Sequence, residues 1–373
     1  MLRYRLRLSL LPCSINGLAL GNAGVAILWR NLGMRGLYTI AHINIVVYAF
    51  SLLAVLFLSL YLTHICLSFE SFQRDFSAIK TLASLGGFTM CLSLLGSILH
   101  DLTDNIYAPI AVVLIAASLQ FVFMIQFLNV CWREKNLPEP LWNAAILSSV
   151  FPSITLPGSY FFCEVIRKAC VAFGLLTACF IIPVASYRTL YTSNLPLVAN
   201  NPSVAILQAG SSIICSGWIL APLLGSIDDR GIGAHIGTFL FALSTTGFVT
   251  TLVALFQRRK HLWSLGMADS FAACTFPFSN TAIAAGLYQT AHFASGHSLA
   301  VWVLFLSILA SALTIIVNFF FFWSIFYVLM PVNEFEPTLP LRGQETVVSV
   351  VISCADSQDN GSGSKKRSYE QDQ

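Results

Sequence analysis

Residues 267–292 read MADSFAACTFPFSNTAIAAGLYQTAH, and residues 298–330 read SLAVWVLFLSILASALTIIVNFFFFWSIFYVLM. Both stretches exceed the roughly 20 residues that a helix needs to cross about 30 Å of hydrocarbon. They are built differently. The first is interrupted by Pro277 and Gly286 and carries Thr275, Ser279, Asn280 and Thr281. The second has no glycine or proline and runs into Phe319-Phe320-Phe321-Phe322-Trp323. Pro removes a backbone donor and kinks a helix, and inside a bilayer a freed backbone group is tolerated only against protein or water. The first stretch therefore reads as a helix enclosed by other helices, and the second as a helix facing lipid.

The same pairing recurs along the whole chain. Ten apolar stretches are predicted as membrane spans, at roughly 10–28, 37–66, 78–99, 107–131, 141–158, 164–187, 202–222, 233–256, 267–292 and 298–330. The odd spans hold 16 Gly and Pro in 106 residues, and the even spans 6 in 136. Aromatic residues reverse this, with 8 in the odd spans and 25 in the even. The odd spans begin about 60 to 70 residues apart, the repeat length of a helical hairpin. The fold class expected is all-α and polytopic: ten transmembrane helices as five hairpins around a central pore, with the odd helices inside and the even helices outside. Its helix-kink and pore-lining candidates are Pro12, Asn16, Gly17, Gly86, Gly87, Pro152, Pro157, Gln208, Gly210, Thr275, Pro277 and Asn280.

Charge sets the orientation. Only 10% of residues are charged, against about 25% in soluble proteins, and mean hydropathy is +0.75. With the N-terminus inside, fifteen Lys and Arg fall in inner segments and five in outer ones, namely Arg30, Arg35, Arg167, Lys168 and Arg230. This positive-inside bias puts both termini in the cytosol and the protein in a cell membrane, plasma or bacterial inner. Residues 1–330 form the membrane domain. Residues 331–373, rich in Ser, Asp, Gln and Gly, are expected as a disordered cytosolic tail.

What the spans lack argues against several function classes. The charged residues inside them are Lys80, Glu164, Arg167, Lys168 and Asp269, each near a span end. Coupled transporters usually keep an ionisable group at depth, and voltage sensors need repeated arginines. His42 and His64 read as interfacial residues of the second span. The ten cysteines are scattered, without paired metal-ligand spacing, and no hydrolase or nucleotide motif appears, so no cofactor, metal or enzymatic activity is expected. A net charge of +3 gives no reason to expect nucleic acid. Hydroxyls, amides and helix-end N–H groups suit small anions, because they replace part of an ion's hydration without trapping it.

The run Cys274-Thr275-Phe276-Pro277-Phe278-Ser279-Asn280-Thr281-Ala282-Ile283-Ala284 resembles the ninth-helix T-F-P motif of the tellurite-resistance/dicarboxylate-transporter family. That family includes slow-type anion channels and fungal malate and sulfite transporters. Pro12 to Gly17, continuing to Leu28-Trp29-Arg30, is similar to its first helix. Asn201 to Ala209 resembles the start of its seventh helix, and Pro183 to Arg188 the end of its sixth. The resemblance covers about residues 1–330. It implies a ten-helix pore, often in a homotrimer of independent pores, plugged by the phenylalanine at the T-F-P position, here Phe276. The chain has Ala272-Ala273-Cys274 where many members carry W-A-Y, so aromatic neighbours that brace the ring are missing. The expectation is transport of small anions through a pore gated by Phe276. A proton-linked carrier of dicarboxylates such as malate, or sulfite or tellurite efflux, is the alternative, and a membrane receptor or enzyme is more remote.

Overall fold

In the computed structural model of the chain, the described residues are 15–34, 40–103, 106–134, 147, 149–150, 152–157, 161–191, 205–221, 223, 231–257, 267–291 and 297–329. Pro12 and the tail 331–373 lie outside them. The described residues form ten α-helices and no strand. In chain order they are α1 (Ile15–Met34), α2 (Ile40–Leu67), α3 (Phe69–Ser77), α4 (Ile79–Leu102), α5 (Tyr107–Glu134), α6 (Glu164–Tyr191), α7 (Ala205–Leu220), α8 (Ile232–Gln257), α9 (Met267–Ala291) and α10 (His297–Leu329).

Two elements depart from expectation. The described part of 141–158 is not an α-helix. Leu147, Ser149 and Val150 lie in wider π-type turns, and Pro152–Thr155 form a tighter 3-10 turn. Pro152 and Pro157 explain this, since neither can donate to an α-helical ladder. The second departure is α3, nine residues placed by the sequence reading in a loop. Its polar side is Glu70, Gln73, Arg74 and Asp75; Phe69, Phe72 and Phe76 form a ladder with ring centroids 5.9 and 5.7 Å apart. Phe76 then meets Phe123 of α5. Such an amphipathic helix suits the membrane–water boundary.

The helices that touch form a closed circuit. α1 packs on α4, α4 on the 152–155 turn, that turn on α7, α7 on α9, and α9 back on α1. Outside it, α2 packs on α1 and α4, α5 on α4, α6 on the turn and α7, α8 on α7 and α9, and α10 on α9 and α1. Contacts fix the directions. Gly17, Gly21 and Gly24 of α1 face Ala272, Thr275 and Ser279 of α9 in ascending order, so these helices run parallel. Asn22 and Trp29 bond to Asn318 and Ser311, so α10 runs opposite to α1.

Burial separates the two layers. In α1, every residue from Ile15 to Leu28 is buried except Gly17, and in α9 Cys274 to Gly286 are buried without interruption. Outer helices alternate buried and exposed positions, with Leu52, Phe180, Phe239, Phe319 and Trp323 exposed. Six helices (α2, α4, α5, α6, α8 and α10) are long and apolar enough to cross a membrane by length and composition. About 61% of the most apolar window of α4 is buried, against 28% to 39% in the other five, which are the outer helices. Of the remaining inner helices, α7 has only 16 residues, and α1 and α9 carry buried polar residues such as Asn16, Asn22, Thr275, Ser279 and Asn280. His64 is buried at the end of α2 and stacks on Tyr61; His42 is exposed.

Candidate functional site

The α1–α9 contact is built on missing side chains. A Cβ on Gly21 would lie 2.1 Å from Thr275 Oγ1, and one on Gly24 2.3 Å from Ser279 Oγ and 3.2 Å from Phe276 Cδ2. A Cβ on Gly17 would sit 3.1 Å from the Ala272 carbonyl oxygen. Glycines at this spacing bring two backbones together, as small residues do in membrane helix pairs. Thr275 Oγ1 then donates to the carbonyls of Gly17 at 3.2 Å and Ala272 at 2.8 Å.

The opposite flank of α9 is held by hydrogen bonds. Gln208 Nε2 donates to Thr281 Oγ1 at 2.6 Å and to the Pro277 carbonyl at 3.2 Å. Ser212 Oγ lies 2.8 Å from Thr281 Oγ1 and 2.7 Å from Ser244 Oγ, so one hydroxyl–amide cluster joins α7, α8 and α9. Phe278 meets Phe248 of α8 edge to face, and Tyr288 stacks on Phe241.

These contacts determine which face of α9 looks into the circuit. At about 100° per residue, Ala272, Thr275 and Ser279 point to α1, Pro277 and Thr281 to α7, and Phe278 to α8. The remaining sector, between α1 and α7, holds Phe276, Asn280, Ile283 and Leu287. The same reasoning on α1 uses Gly17, Gly21 and Gly24 toward α9, Asn22 and Trp29 toward α10, and Arg30 toward α4, where Nη1 donates to the Ser97 carbonyl. It leaves Leu20 and Ile27 facing inward. Leu20, Ile27, Phe276 and Ile283 keep 5, 6, 4 and 4% of their surface accessible, while Ala19, Ala23, Val25, Cys274 and Ala282 keep none; Asn280, in the same inward sector, also keeps none.

Phe276 is the tenth residue of α9, about 14 Å from its start at 1.5 Å per residue. Its ring lies against Gly24, where no Cβ intervenes. One turn on, Asn280 is fully buried, and neither Nδ2 nor Oδ1 has a hydrogen-bond partner among the described residues. The amides of the α1–α10 contact are engaged: Asn22 Nδ2 donates to Asn318 Oδ1 at 3.0 Å, and Asn318 Nδ2 donates back to Asn22 Oδ1 at 2.8 Å.

The other sequence candidates are distributed around the circuit. Asn16, Gly86, Pro152, Pro157, Gln208, Gly210 and Pro277 are all buried. Gly87 faces the Asn16 backbone, Gly86 faces Val150, and Pro152 faces Gly174 of α6. The Pro157 carbonyl accepts from Ser97 Oγ at 3.3 Å. Helix α9 continues through Pro277. Thr275 and Gln208 hydrogen-bond to neighbouring helices, and Gly17, Gly86 and Gly87 lie at close contacts.

At the C-terminal ends of α1 and α4 stands a charged cluster. Arg30 Nη1 is 2.9 Å from Asp101 Oδ2 and 3.1 Å from Ser97 Oγ. Helix α1 runs on to Met34, so Arg30 belongs to the helix and not to the loop expected after residue 28. Arg167, buried in the first turn of α6, donates through Nη2 to the Leu220 carbonyl at the end of α7. Among the buried described residues, apart from cysteine and Tyr61, only His64 and Arg167 are ionisable side chains, and both lie near helix ends. No group of His, Cys, Asp and Glu among the described residues could hold a metal ion.

Sequence reasoning did not single out Leu20, Gly24, Ile27, Ile283, the Asn22–Asn318 pair or the Arg30–Asp101 pair. The Gly17–Gly21–Gly24 spacing was the one available signal, since it marks a close helix contact.

A helical membrane protein with small residues at its inner contacts and, among the described residues, no fixed charge deep in its interior fits the channel and carrier class. The chain matches the family model described as voltage-dependent anion channel, SLAC1, over residues 11–326, and it belongs to that family. It is therefore an integral membrane protein of an anion-transporting family. Among curated proteins, no sequence matches the chain.

Proposed function

We propose that this protein conducts small anions through a central conduit walled by α1, α4, the 147–157 segment, α7 and α9, and that the Phe276 ring closes it. The five outer helices complete a ten-span arrangement, with both termini cytosolic in the plasma or bacterial inner membrane. The protein assembles as a homo-oligomer, a trimer by family resemblance, and residues 331–373 form a cytosolic tail. The observation that carries the reading is the inward sector of α9: Phe276 stands near mid-helix between the α1 and α7 contacts, its ring against Gly24 of α1, which gives it room. A benzyl group in a narrow apolar passage blocks ions by excluding water, and a neutral wall lets an anion leave as readily as it enters.

The test is anion efflux from proteoliposomes holding equal amounts of wild-type and Phe276→Ala protein. The variant is expected to conduct at least tenfold more. Equal or lower flux from normally folded Phe276→Ala protein would remove Phe276 as the gate.

A further inference from the structure

We infer that the side-chain amide of Asn280 is the hydrogen-bonding contact for the permeating anion, one turn beyond the Phe276 ring, and that it sets which anions pass. The inference rests on the conduit reading above. It starts from an anomaly. Asn280 is fully buried, yet its donor and its acceptor are both without a partner among the described residues. A buried amide left unmatched costs on the order of 1–3 kcal/mol, so such a group is ordinarily paired or held for a ligand. A partner is not lacking nearby: Thr281 and Ser212, beside it in the same layer, are bonded to Gln208 and Ser244. Asn280 differs in direction. It lies in the sector between the α1 and α7 contacts, about 6 Å along the helix from Phe276.

The surrounding chemistry defines what the amide can hold. Leu20, Ile27, Phe276 and Ile283, which share the inward sectors, are apolar, so Asn280 is the polar group among them. Its Nδ2 donates to an anion, but it brings no positive charge. The cost of taking an ion out of water grows with the square of its charge, about fourfold from a monovalent to a divalent ion of the same size. One neutral donor offsets part of that cost for a weakly hydrated monovalent ion such as nitrate and little of it for sulfate or doubly ionised malate. Asn280 thus discriminates by charge and hydration, not by shape.

The experiment uses full-length protein with Phe276→Ala as the open parent, reconstituted in liposomes, and measures nitrate, chloride, sulfate and malate flux. Asn280→Leu, Asn280→Ser and Asn280→Asp are added to that parent. Asn280→Leu is expected to lose at least tenfold in nitrate flux. Asn280→Ser, which restores a donor, is expected to recover most of it. Asn280→Asp is expected to abolish anion flux. Thermal unfolding of each purified variant supplies a readout that separates structure from contact: Asn280→Leu removes an unmatched polar group and is expected to melt no lower than its parent. Nitrate flux and nitrate-to-sulfate ratio unchanged within twofold across these variants would overturn the role of Asn280 while leaving the conduit intact. A parent that passes none of the four anions would overturn the conduit reading and this inference with it.

Discussion

At the scale of single residues, the interior is held by groups whose partners are specific. Asn22 and Asn318 exchange hydrogen bonds across α1 and α10, and both are buried. Truncating one leaves the other's amide unmatched, so Asn22→Ala is expected to cost about 1–3 kcal/mol in unfolding free energy. The double variant Asn22→Ala/Asn318→Ala is expected to cost less than the sum of the two single changes, and strict additivity in thermal or denaturant melts would show that the pair does not couple. Gly24 is the second such position. A Val there drives its Cβ into Ser279 and the Phe276 ring, and overpacking of this kind costs about 1–3 kcal/mol. Gly24→Val is expected to lower the melting temperature, whereas Phe180→Val, on an exposed face of α6, is expected to leave it nearly unchanged.

At the scale of elements, α3 carries the pH-dependent feature. Burial pushes the Asp75 carboxyl above the usual carboxylate range, with His64 and Arg74 opposing the shift. An acid with a raised folded-state pKa destabilises the fold above its unfolded value, near 3.9, and the penalty disappears as pH falls below it. Asp75→Asn is therefore expected to raise the melting temperature at pH 7, with the gain shrinking toward pH 4. A gain that grows on acidification would contradict that sign. Much of this level was legible in the sequence. The alternation of broken and smooth stretches located nine of the helices, because Gly and Pro are concentrated in the inner elements, though Pro183 is exposed in α6. Two elements escaped it. Helix α3 is too short for its period to stand out from a loop, and in 141–158 overall apolarity hid what Pro152 and Pro157 do to the backbone. The site was less legible than the fold. A helix buried all round, like α1 or α9, shows no polar stripe, so hydropathy cannot say that Leu20 and Ile27, or Phe276 and Asn280, share the inward face. Phe276 entered through the family motif. Thr275 and Gln208, equally polar and equally central in sequence, proved to be ties between helices.

At the scale of the whole molecule, the inner elements close on themselves and the outer helices cover them, which places the least lipid-compatible surfaces at the centre. The central claim is that water and ions reach that centre once Phe276 is removed. Substituted-cysteine labelling in a cysteine-free Phe276→Ala background measures it most directly. A single cysteine is placed at Ile283, on the inward sector, or at Ala282, which is fully buried away from it, and each is offered a small anionic thiol reagent. Rapid modification at 283, slowed when phenylalanine is restored at 276, with no reaction at 282, is the expected result. Silence at 283 in folded protein, or equal labelling at both positions, would contradict a conduit at the centre of this fold.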